Sequence, residues 1–118
     1  FLNLDAIAKW LIKQDRDVIL FCAGWKGRFN LEDTLFAGAL VDLLIASNLY
    51  DNSCDAVQAS VVMWNAAKSD LFSFLKNSSH RKRLSKFNID SDVHFCLKLN
   101  QTDKIPILKG DVLVVDNE

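Results

Sequence analysis

The sequence predicts an α/β protein, because an apolar strand, a glycine-containing loop and a buried helix follow one another near its start. Residues 18–23 are continuously apolar, as is typical of a strand covered on both faces in a parallel sheet. A helix is predicted over residues 3–14, before this strand, and another over residues 31–47, after it. This order corresponds to part of a βαβ unit and favours a mostly parallel or mixed sheet.

The helix over residues 31–47 is apolar around most of its circumference, which predicts that it is buried. Asn30 is its expected N-cap, and Asp33 occupies the third helical position, where an acid completes a capping box. The small residues 37–39 predict that something packs close to the backbone of this helix.

The remainder of the chain predicts further helices and three short strands. These elements are helices over residues 54–76 and 78–87, the second capped by Ser78 or Ser79, and strands over residues 92–97, 105–108 and 112–115. The turn at residues 109–111 predicts a hairpin between the last two strands.

The composition is typical of one compact domain and argues against binding to nucleic acid or to a membrane. The chain has 118 residues, of which 50% are hydrophobic and 25% charged. Its net charge of -1, from 14 cations and 15 anions, gives no electrostatic case for binding nucleic acid or an anionic membrane. No apolar run reaches the roughly 18 residues of a membrane span. The cysteines, Cys22, Cys54 and Cys96, are widely spaced, which predicts reduced thiols in a cytoplasmic protein.

The loop between the strand and the buried helix is the first candidate site. Gly24 and Gly27 permit positive φ, and Lys26 and Arg28 supply positive charge. A strand, a glycine turn and a helix start together form a natural place for a phosphate. The planar fork of Arg28 makes it the better ligand for phosphate or sulfonate oxygens. The alternative is that both cations are ordinary loop charges.

Glu32 and Asp33 are the second candidate. Acids in a first helical turn are stabilised by the helix dipole, by about 0.3–1 kcal/mol, so capping alone is one interpretation. The burial predicted for this helix and the cations beside it favour another interpretation. Carboxylate oxygens would hold Mg²⁺ there while the cations hold a phosphate.

Three other residue types receive weaker assignments. Cys22 lies at the carboxyl end of the strand, where open α/β sheets bind ligands, but a buried structural thiol is the commoner case. His80 and His94 are expected to be structural or surface residues, with a functional role held only for His80. Trp25 either walls a pocket or covers the core.

Several segments together resemble the 2-phosphosulfolactate phosphatase family. The matching segments are Leu2-Asn3-Leu4-Asp5-Ala6-Ile7-Ala8, Cys22-Ala23-Gly24, Gly27-Arg28-Phe29, Leu31-Glu32-Asp33-Thr34-Leu35, Ala37-Gly38-Ala39, Ser79-His80-Arg81 with Leu84, Asp92-Val93 and Ile105-Pro106-Ile107-Leu108. The resemblance covers nearly the whole chain but only the C-terminal half of a family member. Since the chain also begins on Phe1 rather than Met, we expect residues 1–118 to be a single α/β domain from a longer protein.

The resemblance implies a Mg²⁺-dependent phosphatase of three-layer α/β/α architecture. Its reaction would convert 2-phospho-3-sulfolactate to 3-sulfolactate and phosphate, a step in coenzyme M or sulfolactate biosynthesis. Matching positions imply metal-side catalytic carboxylates at Glu32 and Asp33, substrate contacts at Arg28, Lys26, Gly24 and Gly27, and a lesser substrate contact at Asn3. The resemblance places no nucleophile in this half.

A different class of function stays open. The domain could be a non-catalytic binder of phosphorylated metabolites, or an oligomerisation domain of the same fold, and a homodimer is one assembly to expect. If the enzyme interpretation holds, we expect these 118 residues alone to be inactive, because a trianionic substrate needs more cations than this loop supplies.

Overall fold

The computed structural model describes residues 1–52 and 54–116. Within these ranges the chain forms six α-helices, one 3₁₀ helix and one β-hairpin. The elements are α1 (Leu4–Gln14), α2 (Leu31–Ala46), α3 (Asp55–Ala67), α4 (Leu71–Leu75), α5 (Ser79–Leu84), a 3₁₀ helix (Ser85–Phe87), α6 (Asp90–Cys96), β1 (Ile105–Lys109) and β2 (Val112–Asp116). No helix in the described residues is both long enough and apolar enough to cross a bilayer.

Helix α2 is the centre of the core, as its sequence predicts. It contributes the buried residues Leu35, Ala37, Gly38, Ala39, Leu40, Val41 and Leu44. Gly38 faces α3 so closely that a Cβ atom there would collide with the carbonyl oxygen of Ser60 and lie 3.0 Å from the Cβ of Trp64. The predicted close approach at residues 37–39 is therefore confirmed.

The helix predicted over residues 54–76 is two helices, α3 and α4. The chain leaves α3 after Ala67, and Asp70 then starts α4 by accepting a 3.0 Å hydrogen bond from the backbone N–H of Ser73. This capping bond lowers the pKa of Asp70. An aspartate competes well for such a cap, which explains why the apolar periodicity continues while the helix does not.

The prediction of a strand over residues 92–97 is wrong, because residues 92–96 belong to α6 and Leu97 is its C-cap. Asp90 and Asp92 stand in the first turn of this helix, where the dipole stabilises acids. His94 consequently lies on a helix, and its ring stacks on Phe72 with 3.5 Å between the ring centroids.

Residues 18–23 are extended, but they form no strand with another described residue. Val18 and Leu20 pack against the core, whereas Ile19 and Phe21 are 91% and 90% exposed. The prediction of a strand covered on both faces is therefore not confirmed in the described part of the chain. One face of the segment is covered, and the other is open.

The predicted hairpin is confirmed. Strands β1 and β2 pair in antiparallel register, with Ile107 opposite Val114 and Pro106 opposite Val115. This hairpin is the only sheet among the described residues. Together with the six helices it gives the predicted α/β class. The parallel sheet and the three-layer arrangement expected from the sequence are not found there.

Candidate functional site

The loop between the extended segment and α2 is a tight turn. Trp25 and Arg28 exchange two backbone hydrogen bonds, of 2.9 and 3.0 Å, and Lys26 and Gly27 at the tip have φ values of 50° and 72°. Two consecutive positive φ values define the type I′ geometry of two-residue hairpins, which favours glycine. Gly24 is also required, because its φ is 67° and a Cβ atom would lie 2.5 Å from the carbonyl oxygen of Arg28.

Asp33 ties this loop to the start of α2. Its Oδ2 accepts a 2.8 Å hydrogen bond from the backbone N–H of Gly24, and its Oδ1 accepts a 3.1 Å bond from Nδ2 of Asn30. Asn30 makes no side-chain cap of its own, so its expected N-cap bond is absent. Asp33 therefore orders the loop, and each carboxylate oxygen keeps a further lone pair for a ligand.

Glu32 is oriented by a residue 46 positions later in the chain. Its Oε1 accepts a 2.7 Å hydrogen bond from the hydroxyl of Ser78, which is only 8% exposed. The same hydroxyl accepts a 3.2 Å bond from the backbone N–H of Arg81 and so caps α5. Of the two serines proposed as caps, Ser78 is the one used. Nothing in the sequence pattern indicates its contact with Glu32.

Two buried oxygens at the helix start have no hydrogen-bond partner among the described residues. They are Oε2 of Glu32 and Oδ1 of Asn30. A buried carboxylate oxygen without a partner is costly, and a cation is one group that would satisfy it. These two oxygens and the carboxylate of Asp33 are hard donors of the kind that Mg²⁺ prefers.

The donor set fits Mg²⁺ better than a softer metal. No cluster of three or more histidine, cysteine or acidic side chains able to hold a metal occurs in the described part of the chain. Mg²⁺ keeps several waters and commonly takes only one or two carboxylates, so a pair of acids is sufficient for it. Zinc sites, in contrast, use three or four nitrogen or sulfur ligands.

A cavity of about 480 Å³ lies beside the two acids. Its lining includes Glu32, Asp33, Phe1, Phe36 and the extended residues 19–23. This volume suits a small metabolite. Lys26 and Arg28 do not line it, so the cavity presents the acids while the cations stand on the exposed turn beside them.

The other predicted site residues lie in different surroundings. Lys26, Gly27 and Arg28 are exposed, and the ammonium of Lys26 lies 5.8 Å from the ring centroid of Trp25. Asn3 donates a 2.9 Å hydrogen bond to the carbonyl oxygen of Lys104, and no contact joins it to the acids among the described residues. That bond secures the start of the chain beside the hairpin.

Cys22 is exposed rather than buried. Partial burial, and secondly the negative charge of Asp33, raise the pKa of its thiol. The thiolate is the nucleophilic form of cysteine, so these surroundings disfavour a nucleophile at this position. Cys54 and Cys96 are also free and exposed.

Helix α5 brings further charged residues to the loop. The guanidinium carbon of Arg83 lies 4.9 Å from the ring centroid of Trp25, and its Nη2 lies 3.2 Å from Nδ1 of His80. The basic run over residues 80–83 was visible in the sequence, but nothing local indicates that it faces a loop more than fifty residues earlier.

The described residues thus define an α/β protein with an acidic helix start, a cationic turn and an adjacent cavity. The sequence profile of 2-phosphosulpholactate phosphatase matches residues 1–111. The chain belongs to the 2-phosphosulpholactate phosphatase family, as the resemblance of its motifs implies.

Named relatives agree with this assignment. The chain is 30% identical over 112 residues to a probable 2-phosphosulfolactate phosphatase of Caldanaerobacter subterraneus, covering 95% of this chain and 46% of the relative. Proteins with the same name in Thermotoga petrophila and Prochlorococcus marinus are 36% and 35% identical, covering 98% and 90% of this chain and 48% and 45% of the relatives. The chain spans about half the length of these curated relatives and matches their C-terminal half.

Proposed function

We propose that this chain is part of a Mg²⁺-dependent phosphatase that hydrolyses 2-phospho-3-sulfolactate to 3-sulfolactate and phosphate. The observation that carries the proposal is the buried, unpartnered Oε2 of Glu32 beside Asp33 and a cavity of metabolite size. The names of the relatives supply the substrate. The product would enter sulfolactate or coenzyme M biosynthesis, and the site suits a cytoplasmic small-molecule enzyme.

Three side chains are proposed to hold the metal. Glu32 contributes Oε2, Asn30 contributes Oδ1, and Asp33 contributes a carboxylate oxygen while it orders the loop. Bound there, Mg²⁺ would neutralise negative charge on the phosphoryl group. Ser78 keeps Oε1 of Glu32 occupied, which leaves the opposite oxygen free for the ion.

The turn is proposed to hold the substrate. Arg28 and Lys26 have no acidic partner within ion-pair distance among the described residues, so both charges are free to meet an anion. The exposed backbone at Gly27 permits a close approach of phosphate oxygens, and Gly24 keeps the turn in place. Asn3 stays a minor candidate, because its amide is engaged elsewhere.

The complete site is proposed to need residues outside this chain. Residues 18–23 would be a central strand of a three-layer α/β/α fold. Strands of the N-terminal half of a longer protein would pair with it, and helices of that half would cover Ile19 and Phe21. The single domain of residues 1–118 would then be inactive alone. The assembled enzyme, a monomer or a homodimer, would also supply the nucleophile.

The proposal is tested by measuring phosphate release from 2-phospho-3-sulfolactate by the full-length protein. We expect turnover with Mg²⁺, its loss with EDTA, and its return when Mg²⁺ is added in excess. Simple phosphomonoesters serve as comparison substrates. Absence of turnover with every phosphomonoester would contradict the enzyme and would favour the non-catalytic binding or oligomerisation domain.

A further inference from the structure

Helix α5 is fixed at both of its ends to the candidate site. At its start, the cap Ser78 donates its hydroxyl proton to Glu32. Towards its end, Arg83 lies over the ring of Trp25 in the turn. The two contacts connect the start of the helix to Glu32 and its last turn to Trp25 in the turn.

Arg83 is a cation with no acidic ion-pair partner among the described residues. The described ion pairs are Arg81 with Asp90 and Lys104 with Asp103, and neither involves Arg83. Its polar contacts among the described residues are to a hydroxyl and to an imidazole: Nη1 lies 3.4 Å from Oγ of Ser79, and Nη2 lies 3.2 Å from Nδ1 of His80. A guanidinium has five N–H donors, so several remain for a ligand.

Two cations, Arg83 and Lys26, lie near the aromatic ring of Trp25. The guanidinium of Arg83 is 4.9 Å and the ammonium of Lys26 is 5.8 Å from its centroid. Both distances are within the range of cation–π attraction. Two cations beside one ring, without an ion-pair partner among the described residues, favour the binding of an anion, and a planar guanidinium binds carboxylate and related oxyanions with two parallel hydrogen bonds.

Among the described residues, Arg81 on the same helix is paired with an acid, whereas Arg83 is not. The Nη2 of Arg81 forms a 2.9 Å ion pair with Asp90, and its guanidinium lies 4.4 Å above Phe72. Its side chain is only 13% exposed, and its buried Nη1 has no hydrogen-bond partner in the described part of the chain. Arg83 shares the aromatic contact but has no such acid, so its charge is available to a ligand.

We propose that Arg83, assisted by Lys26, binds the anionic group of the substrate that is not transferred, a sulfonate or a carboxylate. This assignment rests on the proposed phosphatase function and deepens it. Arg83 then acts as a specificity residue: it favours phosphomonoesters whose remaining part carries its own negative charge over those with a neutral remainder.

The test compares two substrates in the full-length protein. We expect Arg83→Met to lower kcat/KM for 2-phospho-3-sulfolactate by about 10- to 100-fold, as expected for loss of a charged hydrogen bond. The value for p-nitrophenyl phosphate, which has no second acid group, should change less than about twofold. Lys82→Met, which removes an exposed cation from the same helix, is the matched control and should affect neither substrate. Arg83→Lys should restore part of the loss.

A binding measurement separates failure of this inference from failure of the proposed function. Calorimetric titration with 3-sulfolactate, and separately with inorganic phosphate, needs no turnover. We expect Arg83→Met to weaken 3-sulfolactate binding by at least about 10-fold and to leave phosphate binding unchanged. Equal losses for both ligands, equal losses for both substrates, or no loss would each overturn the role of Arg83. Loss of 3-sulfolactate binding alone, in a protein without phosphatase activity, would keep the anion site and refute the reaction.

Discussion

Ser78 Oγ donates a 2.7 Å hydrogen bond to Glu32 Oε1 across 46 residues of sequence; Ser78 is buried and Glu32 is half-buried. This bond occupies one carboxylate oxygen and leaves Oε2 buried without a partner. Groups that orient metal ligands in this way commonly affect metal affinity as well as fold. Ser78 is therefore a positioning residue for the proposed metal site.

Ser78→Ala removes both the hydrogen bond to Glu32 and the cap of α5. We expect it to raise the Mg²⁺ concentration for half-maximal activity of the full-length protein about 10-fold. Loss of the cap should also lower the free energy of unfolding by about 1 kcal/mol.

Two matched variants separate those effects. Ser78→Thr retains the hydroxyl and should retain most of the Mg²⁺ affinity. Ser91→Ala changes an exposed serine of α6 and should leave the affinity unchanged. A Mg²⁺ dependence unaltered in Ser78→Ala would rule out the positioning role.

Gly38→Ala tests the packing of the two central helices. The added methyl group would collide with the backbone of Ser60, which cannot rotate away as a side chain can. We expect the free energy of unfolding, measured in urea, to fall by about 1–3 kcal/mol or more. Gly110→Ala is the control, because its Cβ atom meets nothing within 4 Å and only its φ of 60° is strained. An equal loss in both variants would show that the α2–α3 contact is looser than described.

Cys22 reactivity tests the electrostatics of the loop. Because partial burial and Asp33 raise the pKa of this thiol, it should remain protonated near neutral pH and alkylate slowly there. In a background with Cys54 and Cys96 replaced by serine, Asp33→Asn should lower that pKa and accelerate alkylation by iodoacetamide. The control Asp92→Asn removes an exposed acid of α6. If the pH profile does not move with Asp33→Asn, the acid does not act on the thiol.

Local patterns predicted the elements whose structure depends on local interactions. The apolar circumference of α2, the small residues around Gly38 and the turn of the final hairpin all follow from the side chains present in each segment. Positive φ at Gly24 and Gly27 was likewise readable, because few other residues tolerate it. Four of the segments that carry the family resemblance lie between Cys22 and Ala39.

The predictions that were wrong or not confirmed concern segments whose structure depends on contacts with distant parts of the chain. The alternation over residues 92–97 fits a strand, but two acids at the start of α6 and the stack of His94 on Phe72 accompany a helix instead. Residues 18–23 have a strand's sequence and an extended backbone, yet a strand needs a neighbour, and no described segment provides one.

The candidate site was predictable only in part. Glu32 and Asp33 could be named from their place after the loop, but their different hydrogen bonds could not. Asp33 bonds within its own neighbourhood, whereas Glu32 depends on Ser78. Arg83 was missed for the same reason, since its contact with Trp25 joins distant parts of the chain.

The central claim is that Glu32 and Asp33 hold the metal of a phosphatase. The most direct test measures Mg²⁺-dependent phosphate release from 2-phospho-3-sulfolactate by the full-length double variant Glu32→Gln, Asp33→Asn. Asp42→Asn, which changes an acid later in α2, is the control. We predict that the double variant loses at least about 100-fold in kcat, in line with the cost of losing a key electrostatic group, while the control stays active. Full activity in the double variant would contradict the account.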